Sequence, residues 1–259
     1  MSGSPFPGRD WDGEVYDRVS DPQFEWGLEV LDRLPLEGHE TVLDAGCGTG
    51  RVTAVLLERL PRGRVVAVDA SPSMLDQART RLGDAVELHE ADLVDLELER
   101  PVDAVLSTAV FHWILDHDRL FRRLHAALRP GGRLAVQCGG EGNIASLRSA
   151  IDAATEREPF SRHLAGTGRP WNFASPAEAA RRLAAAGFEE IECWLERKPV
   201  TPPDARAYLP TVTLGFHLAE LPQDLHEPFV DAVLAGMGDP VTLDYVRLNI
   251  AARRPPATP

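Results

Sequence analysis

Three closely spaced glycines near the start of the chain constrain its fold more than any other feature. Gly46, Gly48 and Gly50 follow a short apolar run at residues 41–43, and helical spacing of apolar residues resumes immediately after them. Glycine lets the backbone turn tightly and approach a ligand without interference from a Cβ atom. The N-terminus of the following helix favours a negatively charged group. The stretch predicts a strand, a loop and a helix, in which the loop is either a ligand site or a tight turn without a ligand.

The alternation of strand and helix patterns continues along the chain. Short apolar runs typical of buried strands recur at residues 65–68, 86–89, 102–107 and 133–137. Helical patterns separate these runs, and one begins at Ser71-Pro72, where serine can cap the helix and proline fits its first turn. Strands that alternate with helices at this spacing predict a doubly wound, mostly parallel α/β sheet. Two later runs, at residues 188–196 and 241–252, alternate in the manner of further strands.

The composition indicates a globular protein that acts on neither nucleic acid nor membrane. Of the 259 residues, 40 are acidic and 27 are basic, and a formal net charge of -13 repels a phosphate backbone. The three cysteines are widely spaced, which fits free thiols in a reducing compartment better than disulfides or a zinc cluster. No apolar run is long enough to cross a membrane, and the N-terminus lacks a signal pattern. We therefore expect a cytoplasmic protein without a metal centre, whose oligomeric state the sequence leaves open.

An acidic residue follows or ends each of the first three predicted strands. Asp44 precedes the three glycines and can hold an ammonium group, and Asp69 can accept hydrogen bonds from two ribose hydroxyls. Asp92 can accept one from an adenine amine. Each acid alone could be a solvated loop residue, but the three together fall where open α/β sheets bind ligands. A nicotinamide dinucleotide is not indicated, because Arg51 stands where the G-x-G-x-x-G pattern requires glycine or alanine.

Four segments, in this order, resemble the motif series of class I S-adenosylmethionine-dependent methyltransferases: VLDAGCGTG, AVDASPSM, HEADL and LRPGGRL. The resemblance covers residues 41–138. It implies a Rossmann-like sheet of seven strands whose last strand is antiparallel, and S-adenosyl-L-methionine as the cofactor. It also implies that the glycines line the methionine part, that Asp69 holds the ribose and that Asp92 reads the adenine edge. The other residues that it implies for the cofactor site are Tyr16, Asp44, Ala45, Ala70, Ser71, Met74, Leu93, Thr108 and Ala109.

Most of the chain also resembles a narrower group, the small-molecule O-methyltransferases related to trans-aconitate methyltransferase. The shared features are Trp11 and Tyr16 in the pattern W-x-x-x-x-Y, the segment HWILDHDRLF and the ending VRLNIAARR. The chain departs from that group at His112, where the group often has glutamine. A tricarboxylate is therefore not the expected substrate.

The chain divides into four predicted segments. We expect residues 1–20 to close over the cofactor and residues 21–139 to form the cofactor-binding α/β core. Residues 140–252 should contain a helical cap or lid together with the final strands of the sheet. The Pro-rich residues 253–259 are typical of a disordered tail.

Methyl transfer from a sulfonium is an in-line displacement, in which the protein aligns the nucleophile and excludes water. A carboxylate needs no general base, whereas a phenol or an amine does, and His112 is then the candidate because it follows the fourth strand. An acidic substrate would need an arginine, for which Arg169 and Arg247 are the candidates. Trp11 and Trp113 are candidates for the wall of the substrate pocket. His112 and the two tryptophans could equally be packing residues.

We therefore expect a methyltransferase that acts on a small molecule, at an oxygen atom of a carboxylate or a hydroxyl group. Methylation at nitrogen or carbon, as in natural-product tailoring, is the alternative within the class. An alternative of another class is a cofactor-binding regulatory or partner protein without turnover.

Overall fold

The computed structural model describes residues 12–257 and places seven strands in one sheet. The strands are β1 (Thr41–Ala45), β2 (Arg64–Asp69), β3 (Glu87–Glu90), β4 (Val102–Thr108), β5 (Leu128–Gly139), β6 (Glu189–Arg197) and β7 (Val246–Arg253). Their order across the sheet is β3-β2-β1-β4-β5-β7-β6. The first five strands pair in parallel, and β7 is antiparallel to both β5 and β6. This confirms the predicted doubly wound, mostly parallel sheet with an antiparallel last strand.

Helices cover both faces of the sheet. They are α1 (Gly13–Val19), α2 (Asp21–Asp32), α3 (Arg51–Glu58), α4 (Pro72–Leu82), α5 (His117–Ala127), α6 (Ala145–Thr155), α7 (Ser161–Leu164), α8 (Pro176–Ala185), α9 (Ala205–Leu209), α10 (Gly215–Ala219) and α11 (His226–Ala235). Val42 enters the core formed with α2, α3 and α4, and Leu43 enters the core formed with α5 and α8. Consecutive strand residues point to opposite faces, so a strand buried on both sides reads as a continuous apolar run.

A third hydrophobic core lies in the part of the chain for which a helical cap was predicted. It contains apolar residues of α6, α9 and α11, and Trp26 of α2 and Tyr245 belong to the same core. The rings of Trp26 and Tyr245 meet edge to face with their centroids 5.2 Å apart. The cap is therefore packed directly onto α2 and the start of β7. Within residues 12–257, no helix is long and apolar enough to cross a membrane.

The C-terminal residues differ from the disordered tail predicted from residue 253. β7 continues to Arg253, and Arg254 exchanges backbone hydrogen bonds of 2.9 Å with Gly131 and Gly132. Its guanidinium donates to the carbonyl of His125 at 3.0 Å, near the end of α5. The prediction is wrong for these residues because a Pro-rich composition does not show that the backbone pairs with the turn at Gly131-Gly132.

Candidate active site

The carboxyl ends of the parallel strands bring together most of the residues predicted for the cofactor. Asp44 and Ala45 end β1, Asp69 ends β2, and Thr108 ends β4. β1 lies between β2 and β4, so the order of strands reverses direction at β1. Open α/β sheets bind ligands at such a switch point. The topology thus places the glycine loop at the position where a ligand is expected.

The three glycines of the loop adopt positive φ angles of 83°, 55° and 80°. A Cβ atom on Gly46 would lie 2.2 Å from Val110, and one on Gly50 would lie 2.8 Å from Leu82, so packing requires glycine at both positions. A Cβ atom on Gly48 would meet no other atom within 4 Å. Gly48 therefore marks the open side of the loop, where a ligand can approach the backbone.

Asp69 connects the glycine loop to the second strand. Its Oδ2 accepts a hydrogen bond of 2.8 Å from the Gly48 amide, and its Oδ1 accepts one of 2.9 Å from the Ser71 amide. Each oxygen keeps a second lone pair, which can accept a hydrogen bond from a ribose hydroxyl. The Ser71 hydroxyl caps α4 by accepting from the Met74 amide at 3.3 Å. The exposed Ala70 lies between these two fixed residues.

Asp44 is a buried carboxylate beside the loop, with an exposed fraction of 1%. It accepts a hydrogen bond of 2.7 Å from the hydroxyl of Thr53 on α3, a residue that no sequence pattern indicates. Burial raises the pKa of Asp44 to about 6; the Thr53 hydrogen bond opposes this shift and repulsion from Asp69 adds to it. A nearby cation favours the ionised form of a buried carboxylate. The site at Asp44 therefore suits an ammonium group.

A mixed polar and apolar surface adjoins Asp69 on the side of β3. The amide of Ala91 donates to the Asp69 carbonyl at 3.1 Å, and the carboxylate of Asp92 accepts a hydrogen bond of 3.1 Å from a backbone amide two residues further along. Met74, on the helix that follows Asp69, and Leu93, directly after Asp92, are both buried. A carboxylate among apolar side chains suits an adenine ring, which is flat and carries an amine donor.

Helix α1 is attached to the glycine loop by polar contacts. The carboxylate of Asp17 contacts both the hydroxyl of Thr49 in the loop and the guanidinium of Arg81 on α4. Arg51 donates to the Asp17 carbonyl at 3.2 Å and forms a salt bridge of 2.8 Å with Asp21. The arginine that departs from the dinucleotide pattern thus fastens the N-terminal helices to α3.

Residues 12–20, the described part of the segment that was predicted to close over the cofactor, therefore lie against the glycine loop. Tyr16 of α1 also lines the pocket described below. Burial raises the pKa of the Tyr16 hydroxyl, and the charge of Arg247 acts in the opposite direction. Trp11, a predicted substrate-binding residue, lies outside the described residues.

A pocket of about 410 Å³, counting space open to solvent, lies between the sheet and the cap. It borders the cofactor site through Tyr16 and Ala109, and it contains three predicted residues of the substrate side: His112, Trp113 and Arg247. Ala109 has a positive φ of 61° and its amide donates to Gln137 at 2.7 Å. The other lining residues are Gln23, Asn143, Ile144, Trp171, Phe173, Val212, Thr213 and Tyr245.

His112 is buried in the pocket wall, and its Nδ1 accepts a hydrogen bond of 3.2 Å from the Gly139 amide. The proton of the neutral ring therefore resides on Nε2. Burial lowers the pKa of His112 well below its usual value, and the charge of Arg247 acts in the same direction. A ring in this state offers a hydrogen-bond donor. The predicted role of general base does not fit this geometry, because the nitrogen that is left for a ligand already carries the proton.

Arg247 is a buried cation that forms no salt bridge with a carboxylate among the described residues. Its exposed fraction is 2%, and its Nε has no hydrogen-bond partner among residues 12–257. The guanidinium lies 4.9 Å from the ring centre of Trp26 and 5.9 Å from that of Tyr245. Burial lowers its pKa, and the groups that raise it are Cys138 and three tyrosines. A buried charge of this kind is stabilised by an anion.

Arg169, the other arginine predicted for the substrate, does not line the pocket. It is exposed, and its guanidinium forms a salt bridge of 2.9 Å with Asp152 of α6. The two candidate arginines are chemically alike, and only their tertiary partners separate them.

A chain of polar groups that includes two residues of the pocket wall was not predicted from the sequence. Gln23 donates through Nε2 to the Tyr208 hydroxyl at 2.7 Å, and this hydroxyl lies 2.9 Å from that of Tyr245. The Oε1 of Gln23 is buried without a hydrogen-bond partner among the described residues. The three side chains come from α2, α9 and the segment before β7, so no local pattern could indicate their association.

Comparison with known proteins identifies the family to which the chain belongs. A family described as "Methyltransferase domain" matches residues 42–132. A trans-aconitate 2-methyltransferase of Azoarcus sp. (strain BH72) is 34% identical over 233 residues, which cover 88% of this chain and 89% of the relative. Another, from Methylobacterium nodulans, is 36% identical over 186 residues, which cover 72% of this chain and 67% of the relative. The chain therefore belongs to the class I S-adenosylmethionine-dependent methyltransferases, together with the trans-aconitate 2-methyltransferases.

A solved structure shares the fold at lower identity. Phosphoethanolamine N-methyltransferase 2 of Haemonchus contortus, in complex with S-adenosyl-L-methionine, superposes with a TM-score of 0.60 at 22% identity. The match covers 95% of this chain and 57% of that protein, so the chain spans little more than half of its length.

The cofactor is S-adenosylmethionine, and the residues at the strand ends fit it. The open side of the loop at Gly48 admits a ligand to the backbone, and the buried Asp44 suits the ammonium of its methionine part. Asp69 and Asp92 would then hold the ribose and the adenine.

We expect the affinity for S-adenosylhomocysteine to fall as the pH drops below about 6. The raised pKa means that Asp44 takes up a proton there, and the neutral carboxyl no longer attracts the ligand ammonium. The loss should approach about tenfold per pH unit. Calorimetry at pH 7.5 and 5.0 measures it. Asp44→Asn should bind more weakly and show a flatter profile, whereas Asp76→Asn, an exposed control, should keep the profile of the original protein. An unchanged profile in Asp44→Asn would contradict this role.

We expect Arg81→Met to weaken binding of S-adenosylhomocysteine by about five- to tenfold, because it removes the contacts of Arg81 with Asp17 of α1 and with the Thr49 carbonyl of the glycine loop and so lowers the population of the observed loop arrangement. Arg79→Met is the matched control: Arg79 lies on the same helix and, within residues 12–257, pairs only with the exposed Asp76. It should bind within about twofold of the original protein. Equal effects of the two substitutions would show that cofactor binding does not depend on the contacts of Arg81 with Asp17 and Thr49.

Proposed function

We propose that this protein methylates a carboxylate oxygen of a small molecule. The observation that carries the proposal is the buried guanidinium of Arg247, which lacks a carboxylate partner among the described residues and lines the pocket beside Tyr16 and Ala109. A bound carboxylate would pair with this charge and satisfy its Nε. Relatives named for trans-aconitate, a carboxylic acid, support the proposal.

When bound, the cofactor supplies a methyl group on a sulfonium, and a carboxylate oxygen takes this group without any proton transfer. Arg247 holds one oxygen of the acceptor, and the Nε2–H of His112 can donate to the same group. The other oxygen remains free for in-line attack. The aromatic rings around it exclude water, and a medium of low polarity favours a reaction in which opposite charges disappear.

Other acceptor atoms receive less support from the pocket. An ammonium substrate would be repelled by Arg247, and no aspartate or glutamate is present among the described lining residues to bind it or to remove its proton. A phenol or a carbon acid also needs a base. His112 does not offer one, because its Nδ1 is occupied by the Gly139 amide.

We also propose that the acceptor is a free small molecule of the cytoplasm. The net charge of -13 opposes binding to nucleic acid. Cys47, Cys138 and Cys193 are all free thiols, which is usual in a reducing compartment.

We expect Arg247→Met to lower kcat/KM for a carboxylate acceptor by at least about 100-fold, because the acceptor loses the one cation of the described pocket lining. Transfer of a radiolabelled methyl group from S-adenosylmethionine to a panel of carboxylates measures this loss. Arg169→Met should keep kcat/KM within about twofold of the original value, since the guanidinium of Arg169 lies outside the pocket. Both variants should bind S-adenosylhomocysteine within about threefold of the original protein, which excludes a general folding defect.

Two results would count against the proposal. Methylation of phenols or amines in preference to carboxylates, unaffected by Arg247→Met, would assign another acceptor. Binding of S-adenosylhomocysteine without methylation of any carboxylate, phenol or amine would favour the alternative of a regulatory or partner protein.

We expect His112→Gln to keep kcat/KM for a carboxylate within about threefold, because glutamine also offers an N–H donor to the acceptor. His112→Leu, which removes the N–H donor, should lower kcat/KM for a carboxylate by at least about tenfold. The rate should also be flat between pH 6.5 and 9, about where a carboxylic acid is ionised and His112 is neutral. A large loss in His112→Gln, together with a rate that rises with pH, would instead identify a general base.

A further inference from the structure

We infer that the acceptor is a monocarboxylic acid with a flat, aromatic or conjugated body, and not a di- or tricarboxylate. This inference rests on the proposed function and adds the part of the acceptor that lies beyond its reacting carboxylate. It follows from two features of the pocket: a cluster of four rings in its wall and a single charged side chain among the described lining residues.

The cluster, which we call the aromatic wall, consists of His112, Trp113, Trp171 and Phe173. Trp171 and Phe173 stack at 5.7 Å with an angle of 10° between their planes, and Phe173 stacks on His112 at 5.9 Å. Trp113 lies 5.1 Å from His112 and 6.1 Å from Trp171. All four rings line the pocket. Flat π-surfaces favour ligands that are themselves flat, because offset stacking and edge contacts then bury the largest apolar area.

Hydrogen bonds within the chain itself hold the aromatic wall in place. Asn172, which lies between Trp171 and Phe173 in the chain, donates from its backbone amide to the His112 carbonyl at 2.9 Å. The Asn172 side chain donates to the carbonyl of Leu115 at 2.9 Å. These two hydrogen bonds attach the loop that carries Trp171 and Phe173 to the segment that follows β4. A preformed surface loses little entropy when a ligand binds to it, which raises its contribution to affinity.

The charges of the pocket match one carboxylate. Arg247 is the one charged side chain among the described lining residues. Arg148 lies 5.7 Å from the ring centre of Phe173 but does not line the pocket, and Arg169 pairs with Asp152. Gln23 presents a buried carbonyl oxygen, which is an acceptor. A second carboxylate would therefore be desolvated without a cation and would face an acceptor, which is unfavourable.

A series of three acids tests the inference. (E)-Cinnamate, (E)-crotonate and trans-aconitate share a trans-unsaturated carboxylate; the first adds a phenyl ring, the second a methyl group and the third two more carboxylates. Methylation is followed with labelled S-adenosylmethionine. We expect kcat/KM for cinnamate to exceed that for crotonate by at least about tenfold and that for trans-aconitate by at least about 100-fold. Trp171→Ala should lower kcat/KM for cinnamate at least about tenfold and change that for crotonate less than about threefold.

Trp194→Ala is the control for the loss of a tryptophan. Trp194 is 37% exposed on the edge strand β6 and contacts Arg33, away from the described pocket lining. The Trp194→Ala variant should keep kcat/KM for cinnamate and for crotonate within about twofold of the original values.

The outcomes separate the inference from the proposed function. If trans-aconitate is methylated more efficiently than cinnamate, and Arg247→Met abolishes this activity, the inference is overturned and carboxylate methylation stands. If kcat/KM for crotonate equals that for cinnamate, or if Trp171→Ala lowers both values by the same factor, the aromatic wall does not select the body of the acceptor. If no aryl monocarboxylate in a wider panel is methylated, the inference is overturned, and methylation of phenols or amines alone would overturn the proposed function as well.

Discussion

The insertion of β7 between β5 and β6 is the constraint on which the substrate side of the molecule depends. β7 is hydrogen-bonded on both edges, so its register is fixed and its side chains alternate between the two faces of the sheet. Leu248 and Ile250 enter the apolar core with α5 and α8. Arg247 and Asn249 face the other side, where Arg247 lies over Trp26 of α2. A shift of one residue would bury Arg247 in that apolar core, so pairing alone determines where the cation stands.

Two buried charges of opposite sign then divide the site. Asp44 stands at the end of β1 on the cofactor side, and Arg247 stands on β7 on the acceptor side. Tyr16 lines the pocket on the acceptor side, where burial raises the pKa of its hydroxyl and the charge of Arg247 lowers it. In the proposed reaction the sulfonium and the carboxylate both become neutral, whereas the fixed charges of the protein do not change. The protein therefore needs to move no proton, which agrees with a His112 that is held neutral.

The sequence predicts the cofactor side better than the acceptor side for a physical reason. Asp44, Asp69 and Gly48 owe their positions to strand ends and a local turn, which short segments specify. Arg169 and Arg247 are equivalent as sequence. The first is neutralised by Asp152 of α6, and the second is buried by β7, so only tertiary structure chooses between them. The same holds for the state of His112, for the aromatic wall and for the ordered start of the tail, all of which depend on partners distant in sequence.

Helix α1 couples the two sides of the site. Asp17 attaches it to the glycine loop through Thr49 and to α4 through Arg81, while Tyr16, one residue earlier, lines the acceptor pocket. A ligand that holds the loop in place therefore also favours the position of Tyr16, and an acceptor that packs against Tyr16 favours the same arrangement of the loop. Linkage makes this effect reciprocal: each ligand must strengthen the binding of the other by the same factor. An acceptor would thus bind most tightly after the methyl donor, in a pocket that α1 completes.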